Sequence, residues 1–342
     1  MLKFLVRRIV TMALTLLAIS ALVFVIINLP PGNYLSNQIA EMRATGEAAG
    51  IAKAEELIAR YALDKPVWQQ YLIWIGFAPG IDGFDGLLQG NLGWSFELER
   101  PVSEVLGETV MLTILVNLAA LLFVYLIALP LGTIAAVRAN SWIDYLASLI
   151  GYIGLATPNF LLALILLTYG ARYFDIPIGG LMAREYEGEP MSWAKVGSIL
   201  THLLVPTIVI GTSAAAAVMR RLRANLMDEL NKPYVETAKA KGVDAVSRIV
   251  KYPLRMALNP FVADIGNLAP QLVSGSVMIS VVMSLPTIGP ILLQALRSQD
   301  IFMSAFVLLF VSALTLVGML ISDILLAVLD PRIRLASRRK SA

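Results

Sequence analysis

The chain has 342 residues, of which 58% are hydrophobic and 15% charged, with a mean hydropathy of +0.74 and a formal net charge of +3. A soluble domain is about 45–50% apolar and about 25% charged, so a disordered chain, a basic nucleic-acid-binding arm and an ordinary soluble enzyme are excluded, and a polytopic membrane protein is indicated. With no cysteine and one histidine, a disulfide framework, a cysteine nucleophile and a multi-histidine metal centre are excluded as well.

A membrane-crossing helix needs about 20 mostly apolar residues. The first such stretch is 9–29, preceded by Lys3, Arg7 and Arg8. It is longer than the apolar core of about 7–15 residues in a signal peptide, so it reads as a retained helix. Residues 30–108 follow as a polar segment with 11 acidic and 5 basic residues, too long for a plain connector. Its first part, 38–60, has a modest amphipathic helical pattern broken by Gly46 and Gly50. Its second part, 67–77, carries Trp68, Tyr71 and Trp74 and suits a helix lying at the membrane interface. A glycine-rich turn region, 80–93, comes next. The segment serves either as a cap packed on the helices or as a docking surface for another protein.

Further crossings are expected at 109–137, 145–170, 203–219, 261–283 and 301–329, six in all. With the N-terminus cytoplasmic, the inside segments 1–8, 138–144, 220–260 and 330–342 hold 18 of the 27 basic residues. The excess of Lys and Arg on that side sets both termini in the cytoplasm. These residues form a rim facing anionic headgroups, and no nucleic acid is needed to explain them.

The segment 220–260 is polar. Residues 231–242 read as one short helix: Pro233 fits the first turn, where its missing N–H costs nothing, and Gly242 fits the position after the last turn, where φ is positive. Glu236 lies near the positive end of the helix dipole, and Lys239 and Lys241 near the negative end. Tyr234, Val235 and Ala238 share a face, and the small side chain of Ala238 would let a partner approach closely. A second segment, 243–253, has Val246, Ile249 and Val250 on one side. Pro253 and Pro260 are expected to break the path into the fifth crossing. The alternative reading is an amphipathic linker anchored by its basic residues.

At this point the sequence resembles a known family. Glu236-Thr237-Ala238, with Gly242 four residues on, is similar to the EAA motif of permease subunits in binding-protein-dependent ABC importers, with Thr237 where the motif has Ala. Arg60-Tyr61-Ala62-Leu63-Asp64-Lys65-Pro66, Gly90-Asn91-Leu92-Gly93-Trp94-Ser95 and Arg100-Pro101-Val102-Ser103 look like the first permease of the dipeptide, oligopeptide, nickel and opine class. So do Thr157-Pro158-Asn159-Phe160, Leu285-Pro286-Thr287-Ile288-Gly289, Asp300 and Leu329-Asp330-Pro331-Arg332-Ile333. Two departures are the exit from the first helix, Leu29-Pro30-Pro31-Gly32-Asn33, and an extended stretch 33–59 resembling a subgroup with oligosaccharide and opine uptake systems.

The resemblance implies an all-α type I importer fold, MetI-like, filling 1–342 as one permease domain in the bacterial cytoplasmic membrane. It implies a second, similar permease, two cytoplasmic ATPases and an extracytoplasmic substrate-binding protein. Tyr234, Glu236, Thr237, Ala238 and Gly242 would form the helix that docks on an ATPase. The substrate would be a small polar solute, with oligopeptides first and oligosaccharides or opines as alternatives. ATP and Mg would sit on the partner ATPases, since the chain has no Gly-x4-Gly-Lys-Ser/Thr loop. No cofactor, metal or catalytic residue is expected in this chain.

Two other classes make different demands on the sequence. An intramembrane enzyme needs a nucleophile–base pair; His202 stands alone at the edge of the fourth crossing, and Asp264 and Asp323 do not form a hydrolytic pair. An autonomous channel or secondary transporter would work without ATPases. In the fifth crossing Asp264, Asn267, Gln271, Ser274 and Met278 are spaced by three or four residues, which puts them on one helix face. That polar stripe is expected either to line the translocation path or to pack on the second permease.

Overall fold

The computed structural model describes residues 2–30, 32, 34–45, 48–174 and 179–329, with the side chains at 2–4, 45, 48, 49, 108, 171, 174, 263, 267, 269, 270 and 327–329 outside the description. Residues 330–333 of the last motif and the basic tail therefore lie outside the described residues, as do Pro31, Asn33 and Gly46. In chain order the helices are α1 (Leu2–Ile27), α2 (Tyr34–Thr45), α3 (Ala48–Arg60), α4 (Val67–Ile75), α5 (Val102–Val137), α6 (Trp142–Ala156) and α7 (Asn159–Ile165). There follow a π-helical turn at Leu166–Gly170, then α8 (Ala171–Phe174), α9 (Trp193–Leu230), α10 (Pro233–Ala240), α11 (Ala245–Lys251), α12 (Pro253–Val282), α13 (Ile288–Ser298) and α14 (Ile301–Leu329). The sheet content among the described residues is one short antiparallel pair, β1 (Trp94–Ser95) with β2 (Arg100–Pro101).

Among the described residues four helices are long and apolar enough to cross a membrane: Leu5–Ile27, Val102–Val137, Trp193–Leu230 and Ile301–Leu326. Two bent pairs complete the set of six, if each pair is one span. They are Trp142–Ala156 with Asn159–Gly170, bent by 96°, and Ala245–Gly266 with Gln271–Val282, bent by 61°. The third stretch is thus not the straight helix expected over 145–170. Pro158 holds Thr157 extended at φ −84° and ψ 117°, and the chain turns there.

The fifth crossing differs too. Pro253 starts α12 in its first turn, and Pro260 lies inside the helix without ending it. The bend falls at 267–270 instead, a stretch that includes Pro270. α9 also runs 11 residues past the expected 203–219, so 220–230 is helix rather than loop. Met219, Leu222 and Leu226 keep the buried stripe going at helical spacing.

The described residues fall into two compact units. One comprises Met1–Met111 with Thr287–Leu314. Here α2 and α3 pack as a helical hairpin. Gly50 lies within α3 instead of breaking it, and a Cβ there would meet Met42 Sδ at 2.7 Å. The aromatic helix α4 packs on α1: Phe24 and Trp74 stack with ring centroids 5.3 Å apart, and Tyr71 Oη and Ser20 Oγ are 2.9 Å apart. Trp74 is buried and Tyr71 meets α1, so of the three aromatics only Trp68 is strongly exposed. Tyr61, Phe96 and Phe302 form a second aromatic cluster with centroids 5.3–5.6 Å apart. The surface ion pairs Lys53–Glu99 and Arg60–Asp82 are exposed and contribute little.

The other unit comprises Leu112–Pro286 with Thr315–Ala342. Its core has two clusters strung along α5, α9 and α12. One joins Val116 and Ala120 to Val209, Ile210, Leu272 and Ile279; the other joins Val124 and Ala128 to Val218, Leu222, Leu226 and Phe261. α12 approaches α14 closely at Gly266, where a Cβ would stand 2.7 Å from the backbone of Met319. Close backbone approach at small residues is how helices associate in lipid, where hydrophobic burial gives no drive. Ser322 Oγ donates to the Val262 carbonyl at 2.7 Å and ties the same two helices.

Candidate functional site

α10 is held at both ends. At its start Pro233 occupies the first turn, with its φ already helical, and Lys232 before it makes no side-chain capping hydrogen bond. At its end the Gly242 N–H donates to the Lys239 carbonyl at 3.0 Å and the Val243 N–H to the Ala238 carbonyl at 3.2 Å. This is the paired Schellman closure, and it requires the left-handed residue that Gly242 supplies at φ +75°. Tyr234 Oη donates to the Glu229 carboxylate on α9. Burial and that carboxylate push the Tyr234 phenol up to about 12, so it stays a neutral donor at physiological pH.

The exposed face of α10 is Tyr234, Glu236, Thr237, Lys239 and Ala240, followed by Lys241 and Gly242. Val235 and Ala238 are 7% and 5% exposed. The small face around Ala238 is therefore turned inward, not toward a partner. Ala238 lies three residues from Val235, and this i, i+3 pair is the buried stripe of a short amphipathic helix. Any docking surface on α10 is the polar face centred on Glu236 and Thr237. The next helix, α11, starts at Asp244, whose carboxylate accepts the Ser247 N–H at 2.9 Å. These capping hydrogen bonds hold Asp244 below the usual aspartate pKa. Val246 and Val250 on α11 are exposed.

On α12, Gln271, Ser274 and Met278 are exposed, whereas Leu272, Val273 and Ile279 are buried. These three stripe residues thus share the face that this chain's own core leaves open. The side chain of Asn267 lies outside the described residues. Asp264 lies before the bend and the other three after it, so the stripe does not run along one straight helix face. Asp264 accepts a hydrogen bond from Arg221 Nη1 of α9 at 2.8 Å.

Sequence reading missed Arg221 as the partner of Asp264, and missed a second pair. Arg223 donates from Nε and Nη2 to the two oxygens of Asp144 at 2.5 and 2.7 Å, and Asp144 is 1% exposed. An acid in the first turn of an apolar helix and an arginine just past the apolar run of another were the available signal, since a buried charge needs a partner. His202 Nδ1 donates to the Ser198 carbonyl at 2.8 Å on its own helix, and Asp323 is half-buried on α14. Among the described residues no group of three or more His, Asp or Glu could hold a metal ion.

Residues 128–335 match the family of binding-protein-dependent transport system inner membrane components, and residues 1–119 match the N-terminal part described for the same membrane components. The chain is 31% identical over 337 residues to the oligopeptide transport system permease protein AppB of Bacillus subtilis, covering 97% of this chain and 99% of that one. It is 28% identical over 351 residues to the dipeptide transport system permease protein DppB of Escherichia coli K12, covering 98% and 99%. An inward-facing structure of the MetNI methionine ABC transporter matches with a TM-score of 0.50 and 19% identity, over 66% of this chain and 96% of that one, which shows a MetI-like fold. The chain belongs to the inner membrane components of binding-protein-dependent transport systems, the permease subunits of ABC importers.

Proposed function

We propose that this chain forms half of the translocation path of an ATP-driven importer of oligopeptides. A second, homologous permease supplies the other half, and two ATPases, which carry the ATP and Mg, drive it from the cytoplasmic side. Both termini are cytoplasmic. α10 docks on an ATPase through Tyr234, Glu236 and Thr237, with Gly242 fixing its exit and Ala238 holding it to this chain. Gln271 and Ser274, with Asn267 and Asp264, border the path, and residues 30–108 receive the loaded binding protein.

The observation that carries this reading is the build of α10: a short helix closed at its C-terminal end and tied to α9 through Tyr234, with a buried apolar stripe and an exposed polar face. A helix so restrained moves as a unit. The names of AppB and DppB support peptides as the solute. The test is uptake of labelled oligopeptides by the reconstituted transporter with its binding protein. Peptide uptake that requires ATP and falls on Glu236→Lys is expected. Uptake of oligosaccharides or opines in place of peptides would change the solute, and conduction without ATPases would remove the importer reading.

A further inference from the structure

A cleft of about 530 Å³ opens between α6 and α9, lined by Ser148, Tyr152 and Leu155 on one side and Arg220, Arg221 and Arg223 on the other. Among the described residues no carboxylate lines it. Arg223 is committed to Asp144 and Arg221 to Asp264. Arg220 is exposed and has no carboxylate partner among the described residues. Its guanidinium carbon sits 4.8 Å from the centroid of the Tyr152 ring. A guanidinium stacked on a ring keeps its N–H edge free for an anion. Three arginines against two aspartates leave one positive charge aimed into the cleft.

The surroundings are apolar. Tyr152, Ile153 and Leu155 on α6 are 56%, 58% and 37% exposed and lie on the membrane side of Arg220, whose Cγ stands 3.9 Å from a Cβ built at Gly151. On α9 the apolar run ends at Met219 and Arg220 follows directly, which is the depth where headgroups begin. A basic pocket between spanning helices at that depth, with an apolar strip leading away from it, has the two chemistries of an anionic lipid. A hydrophilic solute in a water-filled path would gain nothing from the strip.

We propose that this cleft binds one anionic phospholipid, with the phosphate against Arg220 and an acyl chain along Tyr152, Ile153 and Leu155. The site stands on the membrane location alone; only its assignment to the cytoplasmic leaflet rests on the topology proposed above.

The test is native mass spectrometry of the assembled transporter in mild detergent, titrated with phosphatidylglycerol or phosphatidylcholine. Wild type should retain phosphatidylglycerol in preference to phosphatidylcholine. Arg220→Gln should weaken phosphatidylglycerol retention about fivefold, the share one basic residue contributes near an anionic surface, and leave phosphatidylcholine unchanged. Tyr152→Leu, which frees the guanidinium from its ring, should weaken it by less; it also serves if Arg220→Gln does not assemble. Equal retention of the two lipids by wild type, or of phosphatidylglycerol by wild type and the variants, would overturn the proposal. So would displacement of the lipid by inorganic phosphate, which would make this a free-anion site, or by a transported peptide, which would place the cleft in the path. None of these readouts requires transport, so the proposal can fail while the importer reading stands, and the reverse.

Discussion

Ser95 Oγ donates a hydrogen bond to Asp300 Oδ2 at 2.7 Å, and both side chains are 1% exposed. The same carboxylate accepts the Glu97 and Met303 N–H groups at 3.3 Å each, so it clamps the β1–β2 turn to the first turn of α14. Two motifs far apart in sequence, 90–95 and Asp300, thus act as one structural unit.

Ser95→Ala leaves part of that carboxylate unsatisfied and should cost about 1–3 kcal/mol, read from the thermal unfolding of the detergent-solubilised chain. Burial is the largest influence on Asp300 and raises its pKa, with Ser95 and the amides pulling the other way. The fold therefore favours the protonated acid. That stabilisation is complete below the unfolded value of about 3.9 and is lost as pH rises through the folded one. Asp300→Asn should flatten the decline in stability as pH rises from about 4. A variant whose stability profile keeps the wild-type slope would show that another group titrates.

Nothing lies within 4 Å of a Cβ added at Gly242, so substitutions there act through backbone conformation alone. Gly242→Ala should strain the end of α10 by about 1–2 kcal/mol and lower coupled uptake while membrane levels hold. Gly242→Asn, which tolerates the left-handed region, should recover most of the activity. Ala238→Leu should instead reduce the amount of folded protein, because its site is buried. Uptake unchanged in Gly242→Ala would remove the closure of α10 from the coupling mechanism.

Removing Asp144 leaves Arg223 without its bidentate partner. Asp144→Ala should destabilise the chain by about 3–5 kcal/mol, whereas replacing both residues by apolar ones of similar volume should restore much of it. A double-mutant cycle of thermal stabilities measures the difference. A loss in the double variant equal to the sum of the two single losses would mean that the pair contributes nothing beyond its separate parts.

The chain has no cysteine, so single cysteines report cleanly. Cysteines at Gln271 and Ser274 should react with water-soluble thiol reagents in the assembled transporter, and those at Leu272 and Val273 should not. Protection of Gln271 and Ser274 in every locked state would place their face against the second permease instead of the path.

Much of this was legible beforehand where one residue type has one use. Pro233 at a helix start and Gly242 at its end bracketed α10 because each is constrained by its own backbone. Lengths of apolar sequence located the spans. What sequence reading misplaced was orientation and continuity. Ala238 was given the outward face because a small residue suits both close packing and a partner, and only the folded neighbours decide. Gly50 was read as a break because its use against Met42 depends on a helix the pattern does not specify. The bends at Thr157 and at 267–270 escaped because hydropathy is blind to direction: a span folded by 96° has the same composition as a straight one.

The 38 residues of α9 make a rod of about 57 Å at ~1.5 Å per residue. Its C-terminal quarter carries Arg221, Arg223 and Glu229, each bonded to a different neighbour: α12, α6 and α10. Leverage follows from that arrangement. If α10 is driven as proposed and α9 stays straight through Pro206, a tilt of about 5° imposed through Tyr234 at one end becomes a displacement of about 5 Å at the other, given a length of ~1.5 Å per residue. The same stroke reaches α6 and α12 through the two arginines before it has been amplified, so a small push is divided between short-throw and long-throw outputs by where along the rod each contact sits.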